Sequence, residues 1–103
     1  MQSQFQSLGM APLVLPKITE ATAFESAKPA RVILYNDDWH TFDEVIAQLV
    51  KAGACNEAQA EIYAWTVHTQ GRAQVFEGPR PDCERVAGVL RQIRLQVEVD
   101  WDD

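Results

Sequence analysis

Hydrophobic and polar positions along the chain fall into six blocks after residue 28, and each block carries its own period. Val32-Ile33-Leu34-Tyr35 is a β-branched and aromatic run that predicts a strand, and Asn36-Asp37-Asp38 stops it, because these side chains hydrogen-bond the nearby backbone in turns. Thr41 with Glu44 three residues on is a capping-box pattern. Phe42, Val45, Ile46, Leu49 and Val50 then recur at helical spacing, so an amphipathic helix runs from there toward Gly53. Asn56 and Gln59 repeat the cap, opening a second helix through Ile62, Trp65, Val67 and His68 that Gly71 closes. The short connection makes the two helices a hairpin.

Downstream, Arg72 to Phe76 reads as a short strand, and Gly78-Pro79-Arg80-Pro81 as a turn. Val86, Val89, Leu90 and Ile93 give a third helix, and Leu95, Val97 and Val99 alternate with polar residues as a half-buried strand. The order β-α-α-β-α-β predicts an α+β domain of two layers, a three-stranded antiparallel sheet with helices on one face. Residues 1–28, rich in Gln, Ser, Ala, Thr and Pro, keep neither period and are expected to be a flexible extension, leaving 29–103 as the domain. Trp101 and the acidic Asp102-Asp103 are expected to form a solvated end.

Composition narrows the function. The 103 residues allow one small domain, which favours a binding module over an enzyme with an elaborate cleft. With 9 Lys plus Arg against 15 Asp plus Glu, the net charge of -6 argues against nucleic acid and for a cationic or neutral partner. No run approaches the roughly 18 apolar residues of a membrane helix, and the N-terminus lacks a secretory pattern, so a cytoplasmic monomer away from membranes is expected. Cys55 and Cys83 lack metal-type spacing and read as ordinary thiols; no cofactor or metal is expected.

Two segments carry candidate chemistry. In Asn36-Asp37-Asp38-Trp39-His40, carboxylates and an amide oxygen at the end of a strand suit an ammonium group or another cation, although three Asx residues also make a plain turn. Ala64, Val67 and His68 share one helix face, apart from Ile62, Trp65 and Thr69. A helix apolar on two faces either offers one to a ligand or is buried on both. His40 and His68 lack the paired spacing of a metal site, and neither cysteine is placed as a nucleophile.

Three motifs, Val32-Ile33-Leu34-Tyr35-Asn36-Asp37-Asp38, Phe42-Asp43-Glu44-Val45 and Val67-His68-Thr69-Gln70-Gly71-Arg72-Ala73, together resemble the ClpS family of adaptors for Clp proteases, over about residues 30 to 100. The resemblance implies a protein that binds without doing chemistry. Its ligand would be the free N-terminal residue of proteins beginning with Leu, Phe, Tyr or Trp. It would hand them to a hexameric AAA+ unfoldase, ClpA or ClpC, which feeds ClpP. It further implies that Asn36, Asp37 and His68 hold the α-amino group. Phe42, Ala64, Val67 and Leu95 would line the side-chain pocket, with Asp38 and His40 at its rim, and Arg85 would touch the unfoldase. The extension would act in delivery.

Departures from the family pattern are equally specific. Ala64 stands where the best-known members carry a Met that gates against β-branched side chains, so a wider pocket is expected, one that admits Ile and Val or favours Trp. Phe42 replaces a frequent Met, His40 a frequent small hydroxyl residue, and Arg80 an acidic docking residue. If His68 must be neutral to accept a hydrogen bond, binding should weaken as pH falls and imidazoles protonate. The competing readings are a ribosome- or factor-binding module of the same small α+β architecture, and a metal-dependent hydrolase using Asp37, Asp38, His40 and His68.

Overall fold

Alternation along the first strand decides which way the sheet faces. The computed structural model describes residues 29–102; the extension expected over 1–28, and Asp103, lie outside the described residues. In β1 (Pro29–Tyr35), Ala30, Val32 and Leu34 are buried, while Arg31, Ile33 and Tyr35 point away. The remaining elements are α1 (Phe42–Lys51), α2 (Glu57–Gln70), β2 (Arg72–Pro79), α3 (Arg80–Arg91) and β3 (Val97–Trp101), in the expected order. The sheet is antiparallel, with β1 between β2 and β3.

All three helices cover the inward face. Helix α3 packs on every strand, α2 on β2, and α1 on both α2 and α3. Val32, Leu34, Leu49, Val75, Val86 and Leu90 form the largest part of the core. One buried polar side chain, Gln48, donates from Nε2 to the Val89 carbonyl at 2.6 Å, which ties α1 to α3.

Both capping boxes form. Thr41 Oγ1 accepts from Glu44 N–H at 3.1 Å and Glu44 Oε1 from Thr41 N–H at 2.8 Å; Asn56 and Gln59 exchange the same pair of bonds. Gly71, at φ 91°, closes α2 in the left-handed region that only glycine enters at no cost.

Two expectations change. Gly78-Pro79-Arg80-Pro81 is no turn: β2 runs on to Pro79, pairing with Pro29, and α3 starts at Arg80. An edge strand tolerates Pro79, and a proline in the first helical turn loses no hydrogen bond. The β1–β2 register steps from Val32↔Phe76 to Ile33↔Gln74, leaving Val75 as a bulge residue that drops into the core. Trp101 and Asp102 are also engaged, not simply solvated. Trp101 pairs with Ala30 and carries the Arg80 guanidinium 3.5 Å from its ring centroid, while Asp100 and Asp102 accept from Arg31. Part of the acidity is therefore spent on the open face of the sheet, where Tyr35 also donates to Glu98 at 2.6 Å.

Candidate functional site

Leaving the sheet at Tyr35, the chain is pinned on two sides: Tyr35 N–H donates to the Gln96 carbonyl and Asn36 N–H to that of Gly71. The loop from Asn36 to Thr41 thus meets the end of α2 and the approach to β3. Between them lies a cleft of about 300 Å³. It is lined by all nine residues assigned to ligand contact above, Asn36, Asp37, Asp38, His40, Phe42, Ala64, Val67, His68 and Leu95. Leu34, Tyr35, Thr41 and Val45 also line it. Leu34 and Val45 lie on the inward faces of β1 and α1, so their positions were readable from the alternation; their part in the cleft was not.

Asp37 is the centre of the loop. Its Oδ1 accepts from the backbone N–H of Trp39 at 3.0 Å and of His40 at 2.8 Å, which is the plain-turn role of an Asx residue. Its Oδ2 accepts from His40 Nδ1 at 2.6 Å. Three of the carboxylate's roughly four lone-pair positions are therefore filled from within the chain, and one on Oδ2 is left.

His40 does more than border the cleft. Its side chain is only 7% exposed, and its Nε2 lies 2.6 Å from the Ile93 carbonyl, just beyond α3. Both of its ring partners are acceptors, so both nitrogens must donate, which describes an imidazolium. Burial alone would lower the His40 pKa, but the Asp37 carboxylate, the Ile93 carbonyl and the charge of Glu44 outweigh it and raise it. Asp37 is the converse: burial opposes its charge, yet the His40 backbone N–H, the His40 ring and the Trp39 N–H together lower its pKa.

The opposite wall has a different chemistry. Ala64 and Val67 are buried, and His68 is exposed on the same face of α2. Neither the His68 ring nor the Asn36 amide has a hydrogen-bond partner among the described residues. Phe42 meets His68 edge-on at 5.4 Å between centroids and Trp65 at 5.1 Å. Ile62 and Trp65 are 63% and 57% exposed, so the second apolar face of α2 is open, not buried. Trp39 is 65% exposed and leans on the His40 ring at 4.8 Å.

Arg85 lies apart from this cleft, on α3, where its Nη1 donates to the Ala52 carbonyl at the end of α1. Among the described residues no three His, Cys, Asp or Glu side chains converge as a metal ion requires. With both nitrogens of His40 committed, a metal would have to displace Asp37 or Ile93 to reach it. No helix among the described residues is long and apolar enough to cross a membrane.

Comparison with known proteins adds to the geometry. A family model described as ATP-dependent Clp protease adaptor protein ClpS matches residues 25–98. The ATP-dependent Clp protease adapter protein ClpS of Nostoc sp. is 32% identical over 94 residues, covering 85% of this chain and 92% of its own. The E3 ubiquitin-protein ligase ubr-1 of Caenorhabditis elegans is 36% identical over 76 residues, which are 71% of this chain but 4% of the ligase. Human UBR2 is 38% identical over 58 residues, covering 56% of this chain and 3% of its own, so the chain spans only a small fraction of these ligases. Among solved structures, Agrobacterium tumefaciens ClpS2 bound to L-phenylalaninamide shares the fold, with a TM-score of 0.67 at 22% identity over 73% of this chain and 98% of that one.

Proposed function

The chain belongs to the ClpS family of ATP-dependent Clp protease adaptor proteins, and from that premise we propose that it binds the free N-terminal residue of other proteins and presents them to a Clp AAA+ unfoldase of the ClpA or ClpC type for degradation by ClpP. The observation that carries this reading is the unequal chemistry of one cleft. Hydrogen-bond acceptors, the Asn36 amide oxygen, the Asp37 carboxylate and a His68 ring nitrogen, gather beside an apolar wall of Phe42, Ala64, Val67 and Leu95. A protein N-terminus has the matching form, an ammonium group one bond from the carbon that bears a side chain.

The division of labour follows from what each group has left to give. Asn36 offers an amide oxygen with no partner among the described residues, and His68 one ring nitrogen. Asp37 offers its last Oδ2 lone pair together with its charge. An N-terminal Leu, Phe, Tyr or Trp side chain then exchanges water for the apolar wall, worth about 25 cal/mol per Å² buried. In this scheme the protein holds its ligand and does no bond chemistry. It works in the cytoplasm as a monomer, with residues 1–28 serving delivery and Arg85 contributing to the unfoldase contact through guanidinium donors not used on Ala52. That ClpS2 was solved with L-phenylalaninamide supports the choice of ligand class.

The test is direct. A fluorescent peptide with a free N-terminal Leu or Phe should bind, and its acetylated twin should not, since acetylation removes the charge and blocks the amine. Equal binding of the two peptides would overturn the proposal.

Selectivity is tied to Ala64. With only a methyl group at this position of the wall, the protein should accept Ile and Val at residue one better than an Ala64→Met variant does. A panel of peptides differing only at residue one measures this, and equal rejection of Ile and Val by both proteins would remove the gate from the account.

A further inference from the structure

Trp65 sits just outside the cleft and belongs to none of the contacts assigned so far. Its indole is 57% exposed, yet it is fixed: the ring meets Phe42 edge-on at 5.1 Å and lies 6.1 Å from the ring of His68, both of which line the cleft. Helical spacing explains the placement, since residues i and i+3 are neighbours on one side of α2. A large apolar ring held in water beside a ligand cleft is continuous with that cleft's aromatic wall.

Resting on the N-terminal-residue reading above, we infer that Trp65 forms a second subsite that takes the side chain of ligand residue two, favouring an aromatic ring or an arginine guanidinium. Reach supports it. With the α-amino group at His68, residue two begins one Cα step of 3.8 Å beyond residue one. Its side chain then comes within range of an indole whose centre is 6.1 Å from the His68 ring. Chemistry sets the preference: an exposed tryptophan stacks with planar aromatic groups and attracts cations more strongly than any other aromatic side chain does. Glu61, one turn before Trp65 on the exposed side of α2, adds a negative charge that favours guanidinium further.

Although Trp65 touches Phe42, the two positions take different residues of the ligand. Residue one lies against Phe42, Ala64 and Val67, whereas residue two lies against Trp65, so removing the indole should alter one preference and spare the other.

Calorimetric titration of L-phenylalaninamide, Phe-Gly-amide, Phe-Trp-amide and Phe-Arg-amide tests this in the full chain. The wild type should bind the Trp and Arg dipeptides about 3- to 10-fold more tightly than the Gly one. Trp65→Ala should flatten that series while holding L-phenylalaninamide within about twofold, and Trp65→Phe should restore part of the preference. A wild-type series already flat among binding ligands overturns the subsite alone, as does a preference that survives Trp65→Ala. Failure of every ligand, L-phenylalaninamide included, overturns the underlying reading and the subsite with it.

Discussion

His40 and His68 face the same cleft from opposite walls, and they differ in almost every physical respect. The His40 side chain is only 7% exposed, with both ring nitrogens bonded at 2.6 Å. His68 is exposed and has no hydrogen-bond partner among the described residues. One imidazole holds the protein to itself; the other is left for something else. The same contrast extends to the groups around them, with Asp37 held by three internal hydrogen bonds and Asn36 with an idle amide. A binding site needs both kinds of group, because idle acceptors recognise a ligand only if a satisfied frame holds them in place.

The largest effect should come from the residue that belongs to both sides. Asp37→Asn keeps the size of the side chain but removes the charge proposed to face a ligand amine and the acceptor for the His40 imidazolium. Peptide affinity should fall by about 1.5 to 3 kcal/mol, roughly 10- to 150-fold, as for other charge-assisted hydrogen bonds. Titration with a free N-terminal Phe peptide measures it, and a loss under threefold would mean that Asp37 serves the loop alone.

The held side was the less legible one. Capping boxes at Thr41/Glu44 and Asn56/Gln59 could be read directly, because each is complete within four residues. The clamp on His40 could not, since its second partner is a main-chain carbonyl 53 residues away whose direction depends on where α3 ends. Local signals also misled at Gly78-Pro79-Arg80-Pro81, where glycine and proline mark an edge strand feeding a proline-initiated helix as readily as a turn. The gathering of Asn36, Ala64, His68 and Leu95 around one cleft was beyond periodicity altogether. It came from the family resemblance, which fixes separations along the chain that no hydrophobic pattern encodes.

A pH series on His40→Gln tests the frame by itself. The pKa of His40 is raised on folding, so its contribution is fully present below the unfolded histidine value of about 6.5 and is lost as pH rises through the higher folded value. The pKa of Asp37 is lowered, so its contribution is present above about 3.9 and is lost as pH falls through the lower folded value. The clamp should therefore be at full strength between about pH 4 and 6.5. Urea unfolding near pH 5 should show His40→Gln less stable than wild type by about 1.5 to 3 kcal/mol. The gap should narrow in alkaline buffer, once the wild-type imidazolium has lost its proton. A gap that stays constant with pH would show that packing, and not charge, holds the loop.

The smallest effect should be the most selective. His68→Ala removes an exposed ring that makes no hydrogen bond to any described residue and only edge-on contacts with Phe42 and Trp65, so unfolding free energy should stay within about 1 kcal/mol of wild type. Peptide affinity should nevertheless fall by about 0.5 to 1.5 kcal/mol, the net worth of one hydrogen bond. Measured side by side, His40→Gln would then lower stability in a pH-dependent way and His68→Ala would lower affinity alone. If His68→Ala destabilised the fold as much as His40→Gln did, the open wall would be part of the frame, and the separation between holding groups and recognising groups would fail for this cleft.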